Sequence, residues 1–399
     1  MKPLEGIKVL DLSRVLAGPW CTQLLADLGA EVIKVERPAV GDDTRHWGPP
    51  WCGEGDSQVA AYFLSCNRGK KSAAIDFGRP EGAALVRELA AQSDVVIENF
   101  RVGGLEKFGL NAASLRAANP RLIYASITGF GQDGPYADRA GYDYIIQGMG
   151  GLMSITGLPD GVPGGGPMRV GVAVVDLFTG LYTCVAIVSA LFRREKSGEG
   201  ATIDMALFDT QLAMLANQAS NALVSGKDPP RQGNTHPNIV PYQLFDASDQ
   251  PIIIAVGNER QFARLAEICG HSEWAGDERF ASNAARVANR QAVVLLVAEA
   301  IRHKPAAEWL DRLEAAGIPA GPINSVTQAL SDIQAQHRGM VRAMAGIPQV
   351  GSPVRFDGER ADSDLPPPAL GQHTLEIVEA LGLSRNEIDL LKKAGVIGG

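Results

Sequence analysis

Through the first two hundred residues, short apolar runs alternate with stretches of helical spacing. IKVLDLS (7–13), EVIKVERP (31–38), KSAAIDF (71–77), DVVIENF (94–100) and RLIYASITGFG (121–131) are apolar runs, several ended by turn or proline signals. Each predicts a strand. TQLLADLG (22–29) and PEGAALVRELAAQS (80–93) repeat apolar positions at helical intervals, the second opening on proline, and a further helix is predicted over 112–118. Repeated strand–helix–strand units predict an α/β fold with a mostly parallel, Rossmann-like sheet. After Gly200 the texture changes: a strand, then a long helix to about residue 226, then the polar crossing KDPPRQGNTHPN. IVPYQLFDASDQPIIIAVGN predicts two strands joined by a turn at 248–250, helices follow over 260–316, and AGIPAGPINSV marks a return near 318–326. The expected organisation is a large domain beginning with 1–227, a small α+β domain at 228–322, and a return to the large domain over 323–399. The PPPALGQHT loop precedes one final helix.

One stretch stands apart. GVAVVDLFTGLYTCVAIVSALFRR, from Gly171 to Arg194, has a single charge before Arg193, at Asp176. Desolvating an unpaired carboxylate costs several kcal/mol. Three readings compete: a membrane span, a helix cap, or a chemical group. The glycines and threonines, the terminal position of Asp176 and the lack of a second span favour a buried helix over a bilayer span of ~20 residues. As an N-cap, Asp176 would accept from free amides of a helix starting near Leu177. Those amides would also stabilise it as a nucleophile, so cap and chemical group remain compatible.

Composition narrows the partners. The net charge of −8 argues against a nucleic-acid surface, which would be basic. Five widely spaced cysteines without a CxxC pair indicate reduced thiols and a cytoplasmic setting, and the N-terminus lacks the pattern of a signal peptide. The histidines show no ligand spacing, so no metal is expected. Glu36 closes the second strand as in dinucleotide-binding folds, but the first turn reads SRVLAGPW rather than GxGxxG, which argues against NAD.

Ligands of doubly wound sheets gather at the carboxyl ends of the strands. Basic residues cluster there in sequence: Arg37, NRGKKS with Lys70, and ENFRVGGLEKFG with Arg101 and Lys107. A polyanion with an apolar part would suit them. The segment 126–151 holds seven glycines in 26 residues, a loop folded close to a ligand, with Tyr142 and Asp143 inside it.

Taken in order, VLDLSRVLAGPWCTQLLADLGAEVIKVERPAVGDDTR, NRGKKS, DVVIENF, SITGFGQDGPY, AGYD, VAVVDLFTG and LGQHT resemble the family III CoA-transferases across nearly the whole chain. GDDTRHWGPPW, AGYDYI, VDLFTGLY, IVPYQLF and GIPAGPIN look closest to the enzymes that use succinyl-CoA, glutarate and related dicarboxylates. The resemblance implies that Asp176 attacks an acyl-CoA thioester to give an acyl–aspartyl anhydride, with CoA thiolate retained and then passed to an acceptor acid. Coenzyme A would be substrate, with no permanently bound cofactor. By position, Val15, Arg37, Asn99, Phe100, Arg101 and Lys107 would line the CoA site, with Asn99 and Phe100 at the adenine or pantetheine side and Lys70 a further candidate. Tyr142 and Asp143 would sit beside Asp176. An interlocked homodimer is also implied.

Two departures matter. Formyl-CoA transferases carry a glycine run where this chain reads RQGNTHPNIVPYQLF, so oxalate and formyl-CoA are not expected. α-Methylacyl-CoA racemases have His–Asp where this chain has Tyr142–Asp143, and a racemase needs two general bases. Transfer is therefore expected over the two alternatives, racemisation and non-catalytic CoA binding. Arg45 and Arg68, in loops near the predicted site, are candidates for the distal carboxylate of a dicarboxylic acid.

Overall fold

The computed structural model describes residues 2–55 and 58–398. The chain divides into two compact units, one of residues 1–152, 170–226 and 333–399, the other of 153–169 and 227–332.

The first unit is built on six parallel strands: β1 (Lys8–Asp11), β2 (Glu31–Glu36), β3 (Lys70–Ala74), β4 (Val95–Glu98), β5 (Ile123–Thr128) and β6 (Ala201–Ala206). Their order across the sheet is β3-β2-β1-β4-β5-β6. Neighbouring side chains on one strand serve opposite cores. Val9, Val95, Ile97 and Ile123 join one buried cluster, while Leu10, Val96, Tyr124 and Ala73 join the other. Helices cover both faces, so these central strands read as continuous apolar runs. On the first face lie α1 (Ala17–Asp27) and the long α4 (Val174–Ser197); α2 (Pro80–Ala91) lies on the second. A further helix, α3 (Asp143–Met149), ends the glycine-rich segment.

The α1–α4 crossing depends on Gly180. A Cβ there would lie 2.6 Å from the Ala17 carbonyl oxygen and 3.3 Å from the Cys21 amide nitrogen. Alanine would gain about 1 kcal/mol of helix propensity. Overpacking against backbone, which cannot rotate away, costs about 1–3 kcal/mol or more. Gly180→Ala is therefore expected to lower Tm by several degrees in a circular-dichroism melt; an unchanged or raised Tm would show that the crossing adapts.

By length and composition, α4 could cross a membrane. One face packs in the core through Val175, Cys184, Ile187 and Leu191. The other leaves Val185 63% and Phe192 67% exposed, so the buried helix expected from sequence is buried along one face. Period-3.6 patterning should separate these faces, but here both are apolar.

The second unit has a three-stranded antiparallel sheet of Tyr242–Asp246, Pro251–Ala255 and Ala320–Pro322, with Pro251–Ala255 central. Helices Glu259–Ile268, Arg290–Ile301 and Ala306–Ala315 pack Phe262, Val297 and Trp309 onto it. Residues 153–169, assigned above to the large domain, group here. Gly233 N–H donates to the Gly157 carbonyl (3.1 Å), and Arg231 Nε donates to the Leu158 carbonyl (3.3 Å). The strand pairing of Pro322 with Ile252 keeps it in this unit, as expected, but the return to the first unit comes at Ile333 rather than at residue 323.

Two other boundaries differ from expectation. The long helix after β6 is two, Leu207–Met214 and Ala216–Ser225, broken where Ala216 takes φ +45°. The single C-terminal helix is also two, Thr374–Ala380 and Arg385–Lys393, because Ser384 and Glu387 form a capping box that starts the second.

Candidate active site

At the carboxyl ends of β1 and β4 the strand order reverses, and a cavity of about 500 Å³ opens there. Crevices at such switch points bind ligands because the loops diverge. Arg14 and Val15 line one wall, Asn99 to Arg101 another, and Gly129, Arg139 and Tyr142 a third. Among the described lining residues Asp176 is the sole carboxylate, and Arg14, Arg101 and Arg139 supply the cations.

The first wall is held in an unfavourable conformation. Val15 is β-branched yet takes φ +71°, a region such residues avoid. Its amide donates to both carboxylate oxygens of Asp42 (3.2 and 3.3 Å). Asp42 is in turn paired with buried Lys34 at 2.9 Å and accepts from the Thr44 amide. Burial pushes the Asp42 carboxyl up, but Lys34 and the Thr44 hydrogen bonds outweigh it and hold the group at about 2. Next to Val15, the amide of Arg14 donates to Asn99 Oδ1 (2.9 Å) and its carbonyl accepts from Asn99 Nδ2 (2.7 Å). Asn99 was expected to face the adenine or pantetheine. It lines the cavity, and both ends of its amide also bond the Arg14 backbone, so it clamps that loop. Phe100 lies beneath Arg14, whose guanidinium sits 5.3 Å from the ring centre.

In the glycine-rich segment Gly129 and Gly141 meet backbone to backbone. A Cβ on Gly141 would fall 2.3 Å from the Gly129 Cα. This approach folds the loop back so that Tyr142, exposed and at the N-cap of α3, faces the cavity.

Asp176 occupies the first turn of α4, not its cap. The cap comes from Asp143 on a different helix. Asp143 Oδ2 accepts from the amides of Val175 (2.8 Å) and Asp176 (3.3 Å). Asp143 Oδ1 accepts from Gln147 Nε2 (2.6 Å), and Gln147 Oε1 accepts from the Val170 amide (2.9 Å). The helix starts at Val174, three residues earlier than the sequence reading placed it, and the free amides there, of Val175 and of Asp176 itself, are taken by Asp143. Among the described residues, none donates a hydrogen bond to the Asp176 carboxylate. Burial, with a smaller contribution from the Asp143 charge, pushes Asp176 up to about 7. A raised carboxyl pKa beside a cavity marks a group suited to nucleophilic or acid–base work.

The other sequence candidates fall elsewhere. Lys70 is fully buried, bonded to Asp11 (3.2 Å), the Pro19 carbonyl and Asn67, so it cannot reach a ligand. Arg45 forks onto Glu36 through two 2.7 Å hydrogen bonds and stacks 3.7 Å over Phe63. Arg68 forks onto Asp27 at 2.9 and 2.5 Å. Both arginines are buried in structural pairs and unavailable to a substrate carboxylate. Loop position alone suggested them; spacing cannot reveal an acidic partner elsewhere in the chain. Arg37 is exposed at the end of β2 and does not line the cavity. Lys107 lines a separate cavity with Arg79 and Arg87. Three residues escaped the sequence reading: Arg14, Arg139 and Gln147. Each lies inside a segment that was read, and Gln147 lies four residues after Asp143, the spacing that puts two side chains on one helix face. Another buried carboxyl, Glu98, lines a cavity of about 180 Å³ and is pushed by burial up to about 7.

The CoA-transferase family III model matches residues 4–374. The chain is 51% identical over 386 residues to a succinate–glutarate CoA-transferase of Agrobacterium fabrum, covering 95% of this chain and 96% of that protein. It is 42% identical over 403 residues to the human succinyl-CoA:glutarate CoA-transferase, covering 100% and 90%. Among solved structures, a CAIB/BAIF family protein from Brucella suis matches with a TM-score of 0.85 and 52% identity, covering 95% of this chain and 99% of that one.

Proposed function

Because the chain belongs to CoA-transferase family III, we propose that it moves coenzyme A from succinyl-CoA to a small dicarboxylic acid, glutarate foremost, with Asp176 as nucleophile. The family makes it a CoA-transferase; the acid pair rests on the relatives' substrates. The observation that carries the residue assignment is the lone Asp176 carboxylate, undonated, in a cavity lined by three arginines.

The chemistry follows from charge and atom balance. One Asp176 oxygen attacks the thioester carbonyl carbon, the C–S bond breaks, and CoA leaves as thiolate. If the acceptor attacked the acyl carbon of this anhydride, the acyl group would move and CoA would not. CoA must therefore add to the aspartyl carbonyl, releasing the donor acid and leaving an aspartyl thioester. The acceptor carboxylate then displaces the thiolate to form a second anhydride, and thiolate attack on the acceptor carbonyl restores Asp176. The first step needs an Asp176 carboxylate not quenched by hydrogen bonds, and the anhydrides need a site that excludes water. With its two helix amides given to Asp143, Asp176 meets the first need.

Arg14, Arg101 and Arg139 replace Arg45 and Arg68 as the groups that would meet the CoA phosphates and the distal carboxylate. Val15, Asn99 and Phe100 shape the wall along which CoA would lie. Asp143 is committed through both oxygens, which leaves it no role as a second base and counts against racemisation. The apolar strip of α4, together with Leu223 and Val224 at 86% and 89% exposed, suits the interface of an interlocked homodimer better than a lipid contact. The five free cysteines suit a reducing, cytoplasmic setting.

Incubation with succinyl-CoA and a panel of free acids, read by mass spectrometry, tests the proposal. Glutaryl-CoA is expected with equimolar succinate. Thioester hydrolysis alone, or α-proton exchange without transfer, would replace this reading.

A further inference from the structure

We propose that Gln147 is a positioning residue for acyl transfer: its side-chain amide fixes Asp143 as the cap of α4, which keeps the Asp176 carboxylate free to attack. This rests on Asp176 being the nucleophile.

Gln147 is fully buried, and both ends of its amide are engaged. The Val170 amide can only donate, so the Gln147 oxygen must face it and the NH₂ must face Asp143. The orientation follows from the partners. Asp143 and Gln147 lie one turn apart on α3, while Val170 belongs to the segment that leads into α4. One side chain therefore ties the helix carrying Asp143 to the approach of the helix carrying Asp176.

The consequence concerns which carboxylate the α4 amides face. Helix N-terminal amides are strong donors to a carboxylate. Asp176 sits in the same first turn and would accept them if Asp143 turned away. A carboxylate so bonded is stabilised and less nucleophilic. Gln147 prevents the exchange by holding the far oxygen of Asp143 at 2.6 Å, leaving the near oxygen aimed at Val175 and Asp176. A buried polar network of this kind works only when every member is satisfied.

Three full-length variants test it, with succinyl-CoA and glutarate as substrates and thermal melts alongside. Gln147→Leu is close in size but loses both bonds. It is expected to lower kcat about 10²-fold, as small misplacements of reacting groups do, with KM for succinyl-CoA within about threefold of the parent. Gln147→Glu, protonated beside Asp143, can offer one O–H donor and one carbonyl acceptor in the same places. It is expected to retain about a tenth or more of the parent kcat. Should the leucine variant fail to fold, Gln147→Asn, one methylene too short to span both partners, decides in its place. A folded leucine or asparagine variant with parental kcat overturns the proposal, as do leucine and glutamate variants equally impaired or impaired in proportion to their loss of Tm. Asp176→Asn, run in parallel, separates the two readings: if it turns over, the nucleophile assignment fails, whatever Gln147 does.

Discussion

Asp176→Asn is expected to lower kcat by about 10⁴-fold or more while leaving the protein folded and able to bind acyl-CoA. The amide keeps the shape of the carboxylate but has no anionic oxygen to attack a thioester. The same substitution is expected to stabilise the fold above neutral pH. Asp176 is held at about 7, against an ordinary value near 4 for an unfolded aspartate. The folded state therefore binds the proton more tightly, and stability falls as pH rises between those values. Above pH 7 the desolvated charge, beside Asp143, is fully present and costs on the order of 1–3 kcal/mol. Asparagine removes it. Melts of the two proteins should coincide near pH 4, and the variant should melt a few degrees higher at pH 8. A parent that is the more stable at pH 8 would show that the carboxylate is better satisfied than its surroundings suggest. Hydroxylamine capture of the acylated parent should mark Asp176 and leave the variant unmarked.

Asp143→Asn is expected to cost on the order of 10³-fold in kcat, although the side chains are nearly isosteric. Both oxygens of Asp143 act as acceptors, one for the α4 amides and one for Gln147. Asparagine offers one acceptor and one donor, so its NH₂ must face either the helix amides or the Gln147 NH₂. Turning Gln147 over only moves the conflict to the Val170 amide. The pH profile gives a second reading. In the parent, kcat/KM should fall below about pH 7, tenfold per unit, as Asp176 takes up its proton. Removing the Asp143 charge should move this break to lower pH, since a neighbouring anion raises a carboxyl pKa and its loss lowers it. Of the other groups around Asp176, Tyr62 is pushed by burial, and further by Asp176, up to about 12 and stays neutral across this range. Tyr142 and the three arginines share the cavity. Glu98 also stands at about 7, but it lines the separate smaller cavity. A break unmoved by Asp143→Asn would show that the Asp143 charge does not reach the titrating group.

Much of this was legible in the sequence. Alternating apolar strands and helices determined the α/β class, because a parallel strand buried on both faces leaves a continuous apolar run that periodicity exposes. Asp176 was legible for the complementary reason: one charge in an apolar stretch of that length demands an explanation. The chain likewise carried its family in ordered motifs. Partnership was not legible. Lys70, Arg45 and Arg68 had the right charge and neighbourhood, yet each is consumed by an acid 59, 9 or 41 residues away along the chain. Asp176 was read as a helix cap, yet the helix starts at Val174 and its cap is supplied from 33 residues upstream. Local sequence determines which residues can form an element and which groups are conspicuous. Only the tertiary structure decides which charges are already satisfied, because a salt bridge or a cap is settled by the distance between side chains in space, and sequence separation does not encode that distance.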